Sequence, residues 1–505
     1  MTSRRSDMVH SLKEFAARLE KDGYLVRERE YDDVPVLGLT YDSRQVSAGT
    51  LFVCKGAHFR TEYLQSALNL GAVAYVSETD YGLPVPCLRV TDVRKAMVSL
   101  AEVFYDNAPS KLTIIGITGT KGKSTTTYYV KAILDRFCGR ECAVFSSIDN
   151  YDGIEREESH LTTQEAMEIH RRCANALKSG ITHLVMEVSS QALKYDRVSG
   201  MRFAAGAFLN IGADHISPIE HADFDDYFKS KLKIFSQCDT AVVNTSCEHG
   251  HEILDRAVSD CRSVLTFGKP GDDFYAENIV PSPDGISFDV VSGGRKYPMS
   301  ICMTGLFNVQ NALCACALCR AVGVPFETIS LGLAGATAPG RMEVFSSLDG
   351  RKTVIVDYAH NRLSFDALYS SAAKEYTGKK IVGVFGCPGK KALGRRSELP
   401  ESAAPYASRL IITEEDSGEE PFGEIAADIA AASKKAGCPY YVIEDREQAV
   451  KKAVFDCGDD VVILLTGKGR ETRMKRGTAY IDTPSDVDYT LKYLEEYNRS
   501  NGEKS

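Results

Sequence analysis

The sequence predicts an α/β protein of three units, built mostly on parallel sheets. Short apolar runs alternate with Ala/Leu-rich helical stretches along nearly the whole chain, as crossover helices between parallel strands require. At 505 residues, the chain exceeds what one hydrophobic core organises, and its length corresponds to about three domains. A Gly-rich turn at 116–124 stands directly between a strand-like and a helix-like segment.

The first unit is expected over 1–109. Its opening, MTSRRSDMVHSLKEFAARLEKDGY, lacks the apolar centre of a signal peptide and reads as an amphipathic helix. LFVCKG (51–56), AVAYVS (72–77) and CLRV (87–90) read as strands, with the helical EYLQSALNLG among them. Asn107-Ala-Pro109-Ser is the expected hinge.

The second unit is expected over 110–339. It opens with a buried strand at 114–117 and a helix at 123–137. Strands follow at 183–188, 204–211, 240–244 and 263–267. The stretch 278–300 alternates polar and apolar residues between PSPDG and SGG turns, as a β-hairpin insertion does. A helix follows at 308–322. The third unit, 340–505, repeats the strand–helix rhythm as a Rossmann-like domain. Its strands are TVIVDY (353–358), KIVGVFG (380–386), RLIIT (409–413), YYVIE (440–444) and VVILLTG (461–467). The polar tail NRSNGEKS reads as frayed.

Composition narrows the function. Lys and Arg number 60 against 69 Asp and Glu, a net charge of −9 with no basic face, which argues against a nucleic-acid partner. No run approaches the ~18 apolar residues of a membrane helix. An odd 15 cysteines without a secretion signal fit reduced thiols in the cytoplasm. Cys314, Cys316 and Cys319 lie among Ala and Leu with no further ligand nearby, so they read as small core hydrophobes and not as a metal site.

The strongest motif is GITGTKGKSTTT at 116–127. Glycines let backbone N–H groups wrap a phosphate chain, Lys123 adds a point charge, and the Ser124 hydroxyl can ligate Mg²⁺. Ile117 stands where the strict P-loop has glycine, so this is a variant form. Such a loop serves GTPases, kinases, transporters and ligases alike. Glu187 closes the strand at 183–188, where a carboxylate faces the ligand crevice and can complete a Mg²⁺ shell. Asp214-His215 ends the next strand on the same edge. Lys231, in YFKSKLKIF, reads by itself as part of a solvated basic helix face.

Together these motifs resemble the Mur ligases, the ATP-dependent amide-forming enzymes of peptidoglycan synthesis. The likeness is greatest to the branch that adds the third amino acid to UDP-N-acetylmuramoyl-L-alanyl-D-glutamate. It spans TYDSRQVSAGTLFVCKG, GITGTKGKSTTT, LTTQEA, MEVSSQAL, DHISPIEH, LFNVQNALCA, PGRMEV, VDYAH, FGCPG and LLTGKGRE, in the family's order. The resemblance implies a UDP-binding N-terminal domain, a central ATPase domain and a C-terminal domain that closes over the site.

It also implies roles for residues. Gly119, Thr120, Lys121, Gly122, Lys123, Ser124 and Thr125 match the ATP loop. Asn308 and Asn311 match the pair near adenine, and Arg341 and Asp357 match further ATP contacts. Ser43 and Arg44 match the uridine end. Thr162, Thr163, Ser189, Tyr195 and Arg197 match the muramoyl-peptide site. Ser124, Glu187 and His215 match the magnesium site, with Lys231 matching a lysine that CO₂ carbamylates into an anion. Arg396, Glu415, Asp416, Gly467 and Glu471 match the amino-acid site, Arg396 on the carboxylate and Glu471 facing the amine. Lys123, Lys231, His215 and Glu187 are thus the expected catalytic set. The implied reaction passes the γ-phosphate of ATP to the D-glutamate side chain. The amine of the third amino acid then attacks the acyl phosphate. The implied partners are ATP, the UDP-muramoyl-dipeptide and a diamino acid, with neither nucleic acid nor membrane, and a monomer is expected.

The third amino acid is read from 413–421, TEEDSGEEP. Diaminopimelate-adding members carry Asp-Asn-Pro-Arg here, and their arginine pairs with that substrate's distal carboxylate. Gly418 falls at the arginine's position and acids dominate, which suits a side chain ending in ammonium. Lys121 and the SPIEH stretch also resemble the lysine-adding branch. L-lysine is expected first, with ornithine, diaminopimelate or a non-catalytic nucleotide-binding paralogue as alternatives. Three segments depart from the family pattern: Thr472-Arg473-Met474 after GKGRE, PGKKALGRR, and HNRLS after VDYA.

Overall fold

The computed structural model describes residues 10–26, 30–56, 59–212, 216, 220–282 and 284–502. His215, and Ser217 to Ile219 of the SPIEH stretch, lie outside the described residues.

In the N-terminal unit, strands Gly38–Thr40, Thr50–Val53, Ala72–Ser77 and Cys87–Arg89 form one parallel sheet in that order. Helix Leu12–Lys21 buries Leu12, Phe15, Ala16 and Leu19, the i, i+3, i+4, i+7 stripe of an amphipathic helix, against this unit's core.

The central sheet has eight strands in the order Arg156–Glu158, Asp149–Tyr151, Ala143–Phe145, His183–Glu187, Thr113–Thr118, Phe203–Phe208, Cys238–Asn244 and Ser263–Phe267. All are parallel except the Asp149–Tyr151 and Arg156–Glu158 pairings at one edge. Thr113–Thr118 therefore lies between the strands ending at Glu187 and Phe208, and its carboxyl end opens into the crevice where doubly wound sheets bind ligands. The three short strands between 143 and 158 escaped the sequence reading, because three residues are too few to show a period. The segment read as a hairpin is a three-stranded antiparallel sheet, Tyr275–Ser282, Gly285–Ser292 and Arg295–Ile301, since its two turns join three strands. Helix Asn308–Ala321 is buried on nearly every side and takes Cys314, Cys316 and Cys319 fully into the core.

The C-terminal sheet runs Glu343–Ser346, Lys352–Asp357, Val461–Thr466, Lys380–Phe385, Ala407–Ile412 and Tyr440–Val442. Only its first strand is antiparallel. A hairpin, Arg473–Arg476 with Ala479–Asp482, stands after the GKGRE turn. Among the described residues no helix is long and apolar enough to cross a membrane.

Candidate active site

The phosphate loop joins strand Thr113–Thr118 to helix Lys123–Cys138. Gly119 and Gly122 take φ values of 150° and 82°, which side chains disfavour. Space forbids a side chain there as well. A Cβ on Gly119 would sit 2.8 Å from Leu209 Cβ, and one on Gly122 would sit 2.3 Å from Asn311 Oδ1. Asn210 braces the loop by accepting from Lys121 N (2.8 Å) and donating to Lys121 O (3.0 Å). Gly122 offers no side-chain cap, so the first N–H groups of the helix remain for an anion.

Two ammonium groups converge on this loop. Lys123 Nζ donates to Gly119 O (2.9 Å) and Thr120 O (3.2 Å), and the buried Lys231 Nζ donates to the same Gly119 O (2.9 Å). Lys231 also lies 4.7 Å from the centre of the Tyr227 ring, whose hydroxyl is 3.0 Å from Thr120 Oγ1. The residue that reads in sequence as part of a solvated face is thus buried against the phosphate loop. Thr125 is buried one residue past Ser124 in the first turn of the helix.

Oxygen donors assemble beside it. Ser124 Oγ is 3.0 Å from Ser147 Oγ, and Ser147 donates from both N and Oγ to Glu187 Oε1 (2.9 and 3.1 Å). Hydroxyl and carboxylate oxygens at the mouth of a phosphate loop fit Mg²⁺, which prefers hard oxygen ligands and fills its shell from phosphates and water. Among the described residues no group of three His, Cys, Asp or Glu could hold a metal unaided. Ser147 was missed in the sequence. It follows the short strand Ala143–Phe145, and no motif marks it.

The backbone of Glu187 carries the site onward. Thr163 Oγ1 donates to Glu187 O (2.9 Å) and accepts from Ser189 N (2.9 Å). Arg197 donates to Thr163 O (3.1 Å) and pairs with Glu165 (3.1 Å), which also holds Lys55 of the N-terminal unit (2.9 Å). Ser189 Oγ caps the next helix on Ala192 N, and Thr162 is half-buried beside Thr163. The Tyr195 ring lies 4.3 Å beneath the Arg94 guanidinium. Ser43 and Arg44 stand on a turn of the N-terminal unit, where Arg44 pairs with Asp42 (2.9 and 2.7 Å).

The C-terminal unit meets the loop from the other side. Arg341 Nη2 donates to Ser124 Oγ (3.4 Å), while its guanidinium lies over the Tyr358 ring. Lys121 Nζ is 3.4 Å from His360 Nε2. Asp357 accepts from Met342 N and Ala359 N (2.9 and 2.8 Å), and burial raises its carboxyl above the ordinary range. Asn308 and Asn311 are buried and joined by a 2.9 Å hydrogen bond. Tyr358 OH donates to Glu471 (2.6 Å), and Glu471 pairs with Lys468 (2.5 Å).

The acid-rich loop differs from its sequence reading. Glu414 is held by Arg476 (3.0 and 2.6 Å), Asp416 by Lys468 (3.1 Å), Glu419 by Lys390 (3.2 Å) and Glu420 by Arg396 (2.7 Å). Most of the loop's acids are thus paired with the chain's own cations, while Glu414 and Glu420 still line an open cavity together with Glu444, Asp445 and Arg476. Arg396, expected on the amino acid's carboxylate, has its terminal nitrogens on Glu420 and Asp428 (2.9 Å).

Glu415 is the exception. Among the described residues no ion pair ends on its carboxylate, which lies so close to Gly467 that a Cβ there would stand 2.1 Å from Oε2. Gly386 leaves similar room, because its Cβ would fall 2.8 Å from that of Glu415. Burial pushes the Glu415 carboxyl up to about 7, although Arg446, Arg395 and Lys468 draw it down.

Comparison with known proteins identifies the family. The profile of the Mur ligase middle domain matches residues 117–319, and that of the Mur ligase, glutamate ligase domain matches residues 340–469. Over 460 residues the chain is 37% identical to the UDP-N-acetylmuramoyl-L-alanyl-D-glutamate–L-lysine ligase of Streptococcus agalactiae, covering 90% of this chain and 92% of that one. Two solved structures share the fold. One is a UDP-N-acetylmuramoyl-L-alanyl-D-glutamate–2,6-diaminopimelate ligase, with TM-score 0.67, 23% identity, and coverage of 97% of this chain and 99% of that one. The other is the MurF ligase from Thermotoga maritima in complex with ADP, with TM-score 0.65, 16% identity, and coverage of 92% and 98%.

Proposed function

This chain belongs to the Mur ligase family, and on that premise we propose that it adds L-lysine to the D-glutamate of UDP-N-acetylmuramoyl-L-alanyl-D-glutamate. It is an ATP-dependent ligase of peptidoglycan precursor synthesis. One observation carries the geometric case. Ser124, Ser147 and Glu187 are linked through oxygen, and the backbone of Glu187 passes directly to Thr163 and Ser189. The phosphate loop and the loop proposed to hold the peptide therefore meet at the end of one strand.

In this reading the first N–H groups of helix Lys123–Cys138 and the Lys123 ammonium hold the phosphates of ATP. Arg341 and Asp357 approach from the C-terminal domain, with Asn308 and Asn311 behind the loop. Ser124 and Glu187 would hold Mg²⁺, joined by His215 and by Lys231 as the carbamate formed with CO₂. The metal supplies positive charge where two anions must approach each other. The γ-phosphoryl group passes to the D-glutamate side-chain carboxylate, which Thr162, Thr163, Ser189, Tyr195 and Arg197 orient while Ser43 and Arg44 hold the uridine end. Lysine's amine then attacks the acyl phosphate, and phosphate leaves.

Three points support lysine. The similar streptococcal protein is named for it. Gly418 lacks the side chain that a distal carboxylate would need. Glu415, which carries no ion pair among the described residues, offers a carboxylate to an ammonium group next to Asp416 and against Gly467, in the set expected with Glu471 and Arg396. The reading places the enzyme in the cytoplasm as a monomer and keeps the three domains at 1–109, 110–339 and 340–505.

A phosphate-release assay with the UDP-muramoyl-dipeptide, ATP and Mg²⁺ tests it against lysine, ornithine and meso-diaminopimelate. Lysine is expected to turn over fastest. Turnover of diaminopimelate with neither of the others would overturn the assignment.

A further inference from the structure

The segment 159–165 touches all three units. Glu165 pairs with Lys55 of the N-terminal unit and with Arg197 of the central one. Thr163 is tied to the end of strand His183–Glu187. The third attachment comes from the C-terminal hairpin, where Arg473 Nη2 donates to His160 Nδ1 at 2.5 Å. Arg473 belongs to Thr472-Arg473-Met474, one of the stretches where this chain departs from its family's pattern.

The contact has a direction and a preset geometry. A guanidinium only donates, so His160 accepts through a neutral ring whose proton is on Nε2. The Arg473 guanidinium lies 4.9 Å from the centre of the Tyr480 ring across the hairpin, which limits its freedom before it reaches His160. On the central side, Ser159 Oγ donates to Leu161 O (2.7 Å) and Gln164 Nε2 donates to Ser159 Oγ (3.0 Å), bonds that close a loop around His160, Thr162 and Thr163. Holding His160 therefore holds Thr162 and Thr163, two and three residues on.

We propose that Arg473 is a positioning residue for the muramoyl-dipeptide, acting through His160 to fix the 159–165 segment over that substrate when the C-terminal domain closes. The proposal rests on the muramoyl-dipeptide reading above. The Arg473 contact itself ends on the 159–165 segment, whereas its neighbours Lys475 and Arg476 tie the same hairpin to Asp416 and Glu414, so removing the Arg473 side chain alone is expected to act on the substrate that the 159–165 segment holds.

The test is steady-state kinetics on the full-length enzyme, varying each substrate in turn. Arg473→Ala is expected to raise KM for the UDP-muramoyl-dipeptide about ten-fold, the order of one charge-assisted hydrogen bond. kcat and the KM values for ATP and lysine should stay within about two-fold. His160→Ala should do the same, and the double variant should be no worse than either single one. His160→Gln keeps an acceptor and should recover most of the loss. An unchanged dipeptide KM in Arg473→Ala, additive single effects, or a uniform loss across all three substrates would overturn the proposal. Failure of the wild type to use the muramoyl-dipeptide at all would instead overturn the reading beneath it.

Discussion

Glu415→Gln is the most direct probe of the amino-acid end. The folded chain holds the Glu415 carboxyl at about 7, against an ordinary 4.5, because burial strips its charge of water. Keeping the carboxyl that far above its ordinary value corresponds to about 3 kcal/mol. The folded state keeps the proton to higher pH than the unfolded chain, so stability falls as pH rises. The penalty is absent below about pH 4.5, accumulates up to about 7, and is constant above. Gln has the same shape and never ionises. The variant's advantage should therefore be below about 1 kcal/mol at pH 5 and rise to about 3 kcal/mol at pH 8. Urea denaturation followed by circular dichroism at both pH values measures this difference, and titrations common to both proteins cancel in it. A stability difference that does not change between pH 5 and 8 refutes the reasoning. The same substitution should raise KM for lysine, because it removes the uncommitted carboxylate that faces Gly467.

Three other expectations follow from particular contacts. Gly122→Ala forces a side chain into φ 82° and against Asn311 Oδ1, so ATP-analogue affinity measured by calorimetry should fall at least ten-fold, about 1.4 kcal/mol, and unchanged affinity contradicts the loop assignment. Lys231→Ala should abolish phosphate release, with partial recovery on adding short carboxylic acids, whereas near-normal rates would rule out the carbamate. Arg446→Met strands the buried Asp486 that Arg446 holds at 2.7 and 2.8 Å, and should cost about 3–5 kcal/mol in urea denaturation; a loss below about 1 kcal/mol would show that the pair is dispensable.

Local pattern made much of this protein legible. The phosphate loop is contiguous, and its glycines answer to backbone angles and to crowding within a few residues of chain. The parallel strands announce themselves as apolar runs, because both faces of their sheets are covered. The cysteines of helix Asn308–Ala321 read as core for the same reason. Where the signal was weak, the elements were short: Ala143–Phe145 shows no period, and with it Ser147 was lost.

Charge was the property that sequence misjudged, since a side chain's partners come from anywhere in the chain. TEEDSGEEP reads as a run of free acids, yet four of its five carboxylates are paired with Arg476, Lys468, Lys390 and Arg396 from segments up to 62 residues away. Lys231 reads as a solvated cation and is buried 112 residues from the carbonyl it binds. The sequence by itself determined the order of strands and helices, the phosphate loop and the family, because those depend on neighbours along the chain. Only the tertiary structure decided which of the loop's carboxylates lacks an ion pair among the described residues and which arginine ties the C-terminal hairpin to His160, because ion pairing and burial depend on neighbours in space.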